Sequence, residues 1–407
     1  MQTISNTQGE TELSLSSQAS KNFYWSIGLM SGTSIDGIDA ALIYTNGHDV
    51  TQFGASIFHP YDADMRTKLT SVLGKDINDT AVKPVENEFT QLNSAVVRDL
   101  LKKASMNPEE VRIIGFHGHT LWHKSHRVHG EGATCQMGDG ALLARETGID
   151  VVCDFRSADV AAGGEGAPLV PIYHHALFKL YNDRQKRKGQ KPLPNMLFIN
   201  IGGVANITYV ESGGAEKMVA FDTGPGGCLI DEWMELKAGL PYDKDGETAL
   251  QGVSDDEIYC QLEDQCHLDQ PPPKSFDRLD FTRKAMQMED LLNLDLCAGA
   301  ATVTILTSVC IVHNTVHLQK VPLKWVVCGG GRNNLTIMDQ LREAGTVFVS
   351  GEVRVMTAEK AKFDGDMIEA QAFAYLAARH LAGLPLSYPG TTGVKTPQCG
   401  GRLYLAL

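Results

Sequence analysis

Residues 27 to 44 read IGLMSGTSIDGIDAALIY, and the order of residue types in this stretch decides the fold class. An apolar run, residues 27 to 30, enters a turn holding Ser31, Gly32, Thr33, Ser34, Asp36 and Gly37, and a second apolar run, residues 38 to 44, leaves it. Two β-rich runs joined by glycine and small polar residues predict a hairpin. Its tip has the parts of an anion site. Glycine lets backbone approach a phosphate, hydroxyl and N–H groups donate to its oxygens, and Asp36 or Asp39 can hold Mg2+ through water. An ordinary polar hairpin loop has the same composition. A second copy further along favours the anion site: residues 196 to 210, MLFINIGGVANITYV, again run strand, glycine turn, strand, and residues 218 to 221 supply a third strand ending in DTGPGG. The repeat points to an internal duplication of α/β units, with two glycine tips able to clamp a polyphosphate.

A chain of 407 residues, 43% hydrophobic and 21% charged, is globular and long enough for two domains with a large core. Its 36 Lys and Arg against 49 Asp and Glu give a net charge of −13, which repels nucleic acid and anionic membranes, so neither is an expected partner. An anionic small molecule would need local basic residues. Nine cysteines without a CxxC pair fit a reducing, cytoplasmic setting better than a disulfide framework or a structural zinc site. Residues 1 to 22, rich in Ser, Thr, Gln and Asn, lack the features of a signal peptide and are expected to be a disordered tail. The most apolar long segment, residues 296 to 312, is interrupted by Thr302, Thr304, Thr307 and Ser308 and reads as a buried helix rather than a membrane span. The absence of GxxxxGK[ST], GxGxxG and GxSxG removes the main support for P-loop, dinucleotide-fold and hydrolase-elbow readings.

Helical spacing over residues 87 to 104 precedes a strand, residues 111 to 116, that runs into HGHTLWH at 117 to 123. His117, His119 and His123 are a plausible metal-ligand set; contact with a polar ligand, core packing and a surface loop are the other readings. Together with Thr120, they suit sugar hydroxyls or an amide. A short strand at 151 to 153 is followed by Asp154, Arg156 and Asp159, where open α/β sheets place ligands. Arg156 suits a carboxylate ligand, or alternatively an ion pair with Asp154. AAGGEGAP, residues 161 to 168, reads as a hinge or a turn, and the basic stretch after Tyr181 as a solvated insertion. Asp222 at a strand end is a candidate general base, or a cap of the Gly/Pro turn that follows. KWVVCGGGRNN, residues 324 to 334, is a buried strand and a glycine shelf for a planar base, or a plain tight turn. Residues 366 to 381 read as a helix with Ile368, Ala372, Phe373, Leu376 and Ala377 inward; Glu369 in its first turn is a helix-dipole partner or a second acid.

MSGTSIDGIDAAL, GFHGHTLWH, DFRSADVAAGGEGAPLVP, NIGGVANIT, FDTGPG, PPPKS, VVCGGG and GDMIEAQAFAYLA, in that order from Ile27 onward, resemble the motif series of the anhydro-N-acetylmuramic acid kinase family. The resemblance implies the actin-like ATPase (ribonuclease H-like) fold: α/β, two domains of duplicated βββαβαβα units, and ATP in the cleft between them. Domain I is expected over 23 to 155 plus 385 to 407, and domain II over 156 to 384. The implied reaction is ATP-dependent opening of 1,6-anhydro-N-acetylmuramic acid and phosphorylation of O6, with Mg2+ as cofactor. Alternatives are a kinase for an ordinary open sugar and a metal-dependent hydrolase on the three histidines. By position, Asp222 is similar to the family's general base and Glu369 to a second carboxylate. Gly32, Thr33, Ser34, Ile35, Asp36, Gly37, Ile38 and Asp39 are expected at the ATP phosphates, with Asp36 holding Mg2+ through water. Gly202, Gly203, Gly329, Gly330 and Gly331 complete the nucleotide site. Thr120, His117, His119, Asp154 and Arg156 are expected at the sugar, Arg156 on its lactyl carboxylate. Family members commonly pair, so a homodimer is a further expectation. Gly227 and Cys228 stand where the resemblance leads one to expect Asn after FDTGPG.

Overall fold

The computed structural model describes residues 22 to 406 other than 33, 127 to 129, 267 and 350. The first sheet opens with an antiparallel meander of β1 (Tyr24–Ser31), β2 (Gly37–Thr45) and β3 (Val50–Pro60). Next, β4 (Val111–Lys124) lies parallel to β1, β5 (Ala133–Met137) folds back along the far end of β4, and β6 (Val151–Cys153) lies parallel to β4. The second sheet repeats this: β7 (Asn195–Ile201), β8 (Val204–Glu211) and β9 (Val219–Pro225) form an antiparallel meander, β10 (Lys324–Cys328) lies parallel to β7, and β11 (Arg354–Thr357) parallel to β10. A short β12 (Arg402–Tyr404) closes the free edge of β6. The strand orders are β12-β6-β4-β1-β2-β3 and β11-β10-β7-β8-β9. With the side strand β5 and the edge strand β12 set aside, each sheet counted within its own half runs three-two-one-four-five with the same parallel and antiparallel senses. That is a duplicated α/β fold in two units, as the paired hairpins predict.

The chain forms two compact units, one running to Asp183 and resuming at Glu369, the other Arg184–Ile368. These boundaries differ from the expected 155/156 and 384/385, because the helices Pro171–Arg187 and Ile368–Leu381 pack within the first unit for most of their length. Tyr173 Oη donates to Gln371 Oε1 at 2.9 Å. Gly28 of β1 and Gly115 of β4 are register partners, and the helix Ile368–Leu381 settles onto both. A Cβ on Gly28 would stand 1.7 Å from the Ala370 carbonyl oxygen, and one on Gly115 2.0 Å from that of Phe373. The helix is buried nearly all round, through Ala370, Ala372, Phe373, Ala374, Tyr375, Leu376, Ala377 and Ala378, so small residues allow backbone to approach backbone.

In the second unit, Trp233 and Trp325 are fully buried beside Phe221, Leu306 and Leu341. Gly299 leaves room for the Trp233 ring, whose Nε1 donates to the Leu296 carbonyl at 2.9 Å. The apolar helix Leu296–His313 is the buried helix its sequence predicts, capped by Asp295 on the Ala298 N–H at 2.9 Å. With its terminal turn it has the length and composition to cross a membrane, yet 67% of its most apolar window is buried within the fold.

Two elements outrun their expected lengths. β4 continues through HGHTLWH to Lys124 because β5 offers it a partner, and the helix Pro171–Arg187 absorbs the first residues of the basic stretch.

Overpacking at a backbone-to-backbone contact costs about 3 kcal/mol. Gly28→Ala is expected to lose at least that much in equilibrium denaturant unfolding, whereas Gly330→Ala, with no atom within 4 Å of the added carbon, stays within about 0.5 kcal/mol of the parent.

Candidate active site

The first hairpin tip lies between β1 and β2. Its base is fixed from below: Ser31 Oγ shares a hydrogen bond with Tyr61 Oη at 2.7 Å and another with His119 Nδ1 at 3.0 Å. Above it the Ile35 N–H donates to the Gly32 carbonyl at 3.2 Å, and Ile35 takes φ +53°, a left-handed conformation costly for a β-branched residue. Ser34 Oγ donates to Asp36 Oδ1 at 3.0 Å, and both side chains are exposed. Gly32, Ser34, Ile35 and Asp36 thus form an open, strained turn; Thr33 lies outside the described residues. Gly37 and Ile38 have other work. A Cβ on Gly37 would meet the His59 carbonyl oxygen at 2.4 Å, so its bareness serves β2–β3 pairing, and Ile38 is buried in the core. Asp39 lies within β2 opposite Met30.

The second tip is the pair Gly202 and Gly203, both exposed, with nothing nearer than 3.7 Å to an added carbon. The turn after β9 is laced to it: Gly226 N–H to the Gly203 carbonyl at 2.9 Å, Gly227 N–H to Gly202 at 2.7 Å and Cys228 N–H to Gly203 at 3.1 Å. Gly226 must be glycine, since its Cβ would lie 2.2 Å from the Gly202 oxygen. The helix Cys228–Ala238 starts here, with the Gly227 and Cys228 N–H groups already spent on the second tip. In its first turn, half-buried Asp231 has a carboxyl pushed up to about 6 by desolvation, with Arg278 opposing. Beyond β10, Gly329 turns at φ +74° and Gly331 packs on Ile201, while Gly330 faces open space. Buried Arg332 braces this shelf, donating to Asp366 at 2.8 and 2.7 Å, Glu359 at 2.8 Å and the Gly329 carbonyl at 2.9 Å.

Asp222 lies within β9 opposite Asn206 and is half-buried. It does not cap the turn that follows it. Its Oδ2 accepts the Phe276 N–H at 2.9 Å, and its own N–H donates to the Lys274 carbonyl at 3.1 Å. No cation pairs with it among the described residues, and desolvation pushes its carboxyl up to about 7 against the one N–H that favours the charged form.

In the first unit the centre is Arg156. Its Nε and Nη2 donate to His117 Nε2 at 3.3 and 3.0 Å, and Nη1 to the Gly166 carbonyl at 2.8 Å. Because an arginine can only donate, His117 Nε2 is the acceptor, and the ring proton is on Nδ1, donated to the Gly118 carbonyl at 2.9 Å. Burial and the guanidinium hold that imidazole neutral, well below its usual pKa. Among the described residues no carboxylate comes within ion-pair range of Arg156, which burial lowers to about 10. Asp154 is exposed and instead accepts from Ser157 Oγ at 2.5 Å. Glu369, half-buried, has its pKa raised by desolvation, opposed by Arg156 and assisted by Asp36, so these three charges share one field.

The other histidines support the frame. His119 is fully buried, edge-on to Phe89 and depressed to about 4; His123 Nδ1 shares a hydrogen bond with Thr134 Oγ1 at 3.0 Å; Thr120 Oγ1 accepts from Gln136 at 3.4 Å. Among the described residues no three His, Cys, Asp or Glu side chains are grouped to hold a metal, so the three-histidine ligand set does not form. Nor is AAGGEGAP a loose hinge: buried Asp159 accepts the Gly166 N–H and Thr392 Oγ1, each at 2.7 Å, and Ser387 Oγ.

The sequence matches the family model described as Anhydro-N-acetylmuramic acid kinase over residues 24–406. The chain belongs to the anhydro-N-acetylmuramic acid kinase family. Relatives of that name include one from Agrobacterium fabrum (strain C58), 41% identical over 93% of this chain and 98% of its own, and one from Paramagnetospirillum magneticum (strain AMB-1), 42% identical over 92% of this chain and 98% of its own. A third, from Brucella canis, is 42% identical over 92% of this chain and 97% of its own. Members of this family are phosphotransferases.

Within an anhydro-N-acetylmuramic acid kinase, Asp231 and Asp159 are residues that sequence reasoning undervalued. Asp231 carried a readable signal, an acid in the first turn of a helix opening on PGG. An Asp222 carboxyl raised from 3.8 in the unfolded chain to about 7 in the fold favours folding in its neutral form, so that stabilisation is full below pH 4 and fades as pH rises through 7. Asp222→Asn is therefore expected to be more stable than the parent at pH 8, by about 2 kcal/mol after allowance for partial exposure, with the difference gone at pH 4. Urea midpoints at the two pH values check this.

Proposed function

We propose that the chain phosphorylates 1,6-anhydro-N-acetylmuramic acid with ATP while opening its anhydro ring, giving N-acetylmuramic acid 6-phosphate and ADP in peptidoglycan recycling. The observation that carries this reading is the environment of Asp222: a carboxyl raised to about 7 is poised to accept a proton at neutral pH. In the substrate, O6 is tied to C1, so no free hydroxyl is there to be phosphorylated. Water attacks C1, its proton passes to Asp222, and the C1–O6 bond breaks as O6 takes the γ-phosphoryl group and ADP leaves. Carboxylates suit the oxocarbenium character developing at C1. Glu369 supports the water or the leaving oxygen; Arg156, without an ion-pair partner among the described residues, takes the lactyl carboxylate and is held for it by His117. His119 and Asp154 then act from behind, one steadying Ser31 and the other Ser157.

In this reading each unit supplies its own tip for a nucleotide's phosphates, Gly32, Ser34, Ile35 and Asp36 in the first and Gly202 and Gly203 in the second, and the open face at Gly330 suits the base. Asp36 fits a metal-bound water, since its side chain is exposed and, among the described residues, is hydrogen-bonded by Ser34 alone. Mg2+ held there would neutralise phosphate charge during transfer.

Two outcomes follow. In 18O-water with ATP and Mg2+, the product carries one 18O at C1 and phosphate on O6; an unlabelled C1 marks a kinase for an ordinary open sugar. Arg156→Ala raises KM for the anhydro-sugar at least about tenfold, the loss of one charge-assisted contact, with KM for ATP unchanged in steady-state assays.

A further inference from the structure

The base Asp222 is held by a loop without regular structure. Residues 274 and 276 bracket it, Lys274 accepting its N–H through the main-chain carbonyl and Phe276 donating to its carboxylate. What fixes the loop is the Lys274 side chain, 3% exposed, which turns away from the site and into the protein. Its ammonium donates to Asn314 Oδ1 at 2.5 Å and to the Leu268 carbonyl at 3.2 Å, and lies 5.8 Å from the centre of the Phe221 ring, the residue before Asp222. Asn314 is fully buried, and its orientation is set by chemistry: the ammonium can only donate, so Oδ1 faces it, and Nδ2 donates to the Thr223 carbonyl at 2.9 Å and the Cys310 carbonyl at 2.8 Å. Thr223 is the residue after Asp222. One buried lysine and one buried asparagine therefore tie together the loop, the end of the apolar helix and the strand on both sides of the base.

We propose that Lys274 and Asn314 form a positioning clamp for the general base, an inference that rests on Asp222 being that base. Neither side chain reaches the reacting atoms. They act by keeping the Phe276 N–H on the Asp222 carboxylate, the one hydrogen bond that offsets desolvation and keeps the base ionised near neutral pH. An apolar side chain in place of the ammonium leaves buried Asn314 Oδ1 without its donor and unties residue 274 from the Leu268 carbonyl, which keeps only its bond with His317 Nε2 at 2.9 Å, and the loop is released.

The test is Lys274→Met in the full chain, with Lys274→Gln as the milder variant should the first not fold, read two ways. The Asp222 carboxyl, followed by carbon-13 NMR against Asp222→Asn to assign it, titrates about one unit higher than in the parent. The acid limb of kcat/KM for the anhydro-sugar moves up by the same amount, so the rate falls about fivefold at pH 7 and about tenfold at pH 5 and recovers by pH 9, with KM for ATP unchanged. A folded variant whose Asp222 titrates as in the parent overturns the clamp, and so does a rate loss equal at every pH. The NMR titration needs no substrate, so a clamp that fails is told apart from a wrong reaction: a shifted carboxyl without anhydro-sugar turnover in the parent upholds the clamp and sinks the proposed activity.

Discussion

Desolvation without a counter-charge governs this site. Removing an ion from water and leaving it unpaired costs several kcal/mol even after the protein relaxes, and each unit of the fold carries one such group. In the second it is Asp222, held by a single N–H and raised to about 7; in the first it is Arg156, satisfied by an imidazole nitrogen and a carbonyl and lowered to about 10. A core ion pair would have been satisfied internally, as Arg332 is by Asp366 and Glu359. On the proposed reading, such groups await a substrate that brings a partner: a water proton for the carboxylate, a carboxylate for the guanidinium.

Holding such groups in place demands a stiff frame, and glycine supplies it in an unexpected way. The register-paired Gly28 and Gly115 let the helix bearing Glu369 rest directly on two strands, and Gly226 lets the turn after β9 lace onto the second tip. These glycines are rigid contacts. Those at Gly202, Gly203 and Gly330 have space around them and are free to meet a ligand. The two hairpin tips, though products of one topology, differ accordingly: the first is long and strained at Ile35, the second is two glycines pinned from below.

Much of this was legible in the chain. The paired hairpins revealed the duplicated fold because alternation of apolar strand and glycine turn is local information, and the buried helix Leu296–His313 was readable from its apolar run. Local information failed where partners lie far away. β4 is a strand through three histidines because β5 pairs with it, a tertiary effect that residue preferences do not carry. Gly37 read as a phosphate contact, yet its neighbour is the His59 backbone across the β2–β3 ladder. Asp159 read as one of the strand-end residues at a ligand position, and its structural role was hidden because its partners Ser387 and Thr392 are 228 and 233 residues away. Arg156 was recognisable as a cation near a strand end, but only the fold replaces the alternative of an Asp154 ion pair with the bond to His117 that it makes.

The pH dependence of kcat/KM for the anhydro-sugar at saturating ATP and Mg2+ tests the role of Asp222 most directly. A base raised by burial predicts an acid limb of unit slope centred near pH 7. A rate that stays level down to pH 5 would mean that an ordinary solvated carboxylate accepts the water proton, which contradicts a buried, desolvated Asp222 as the base.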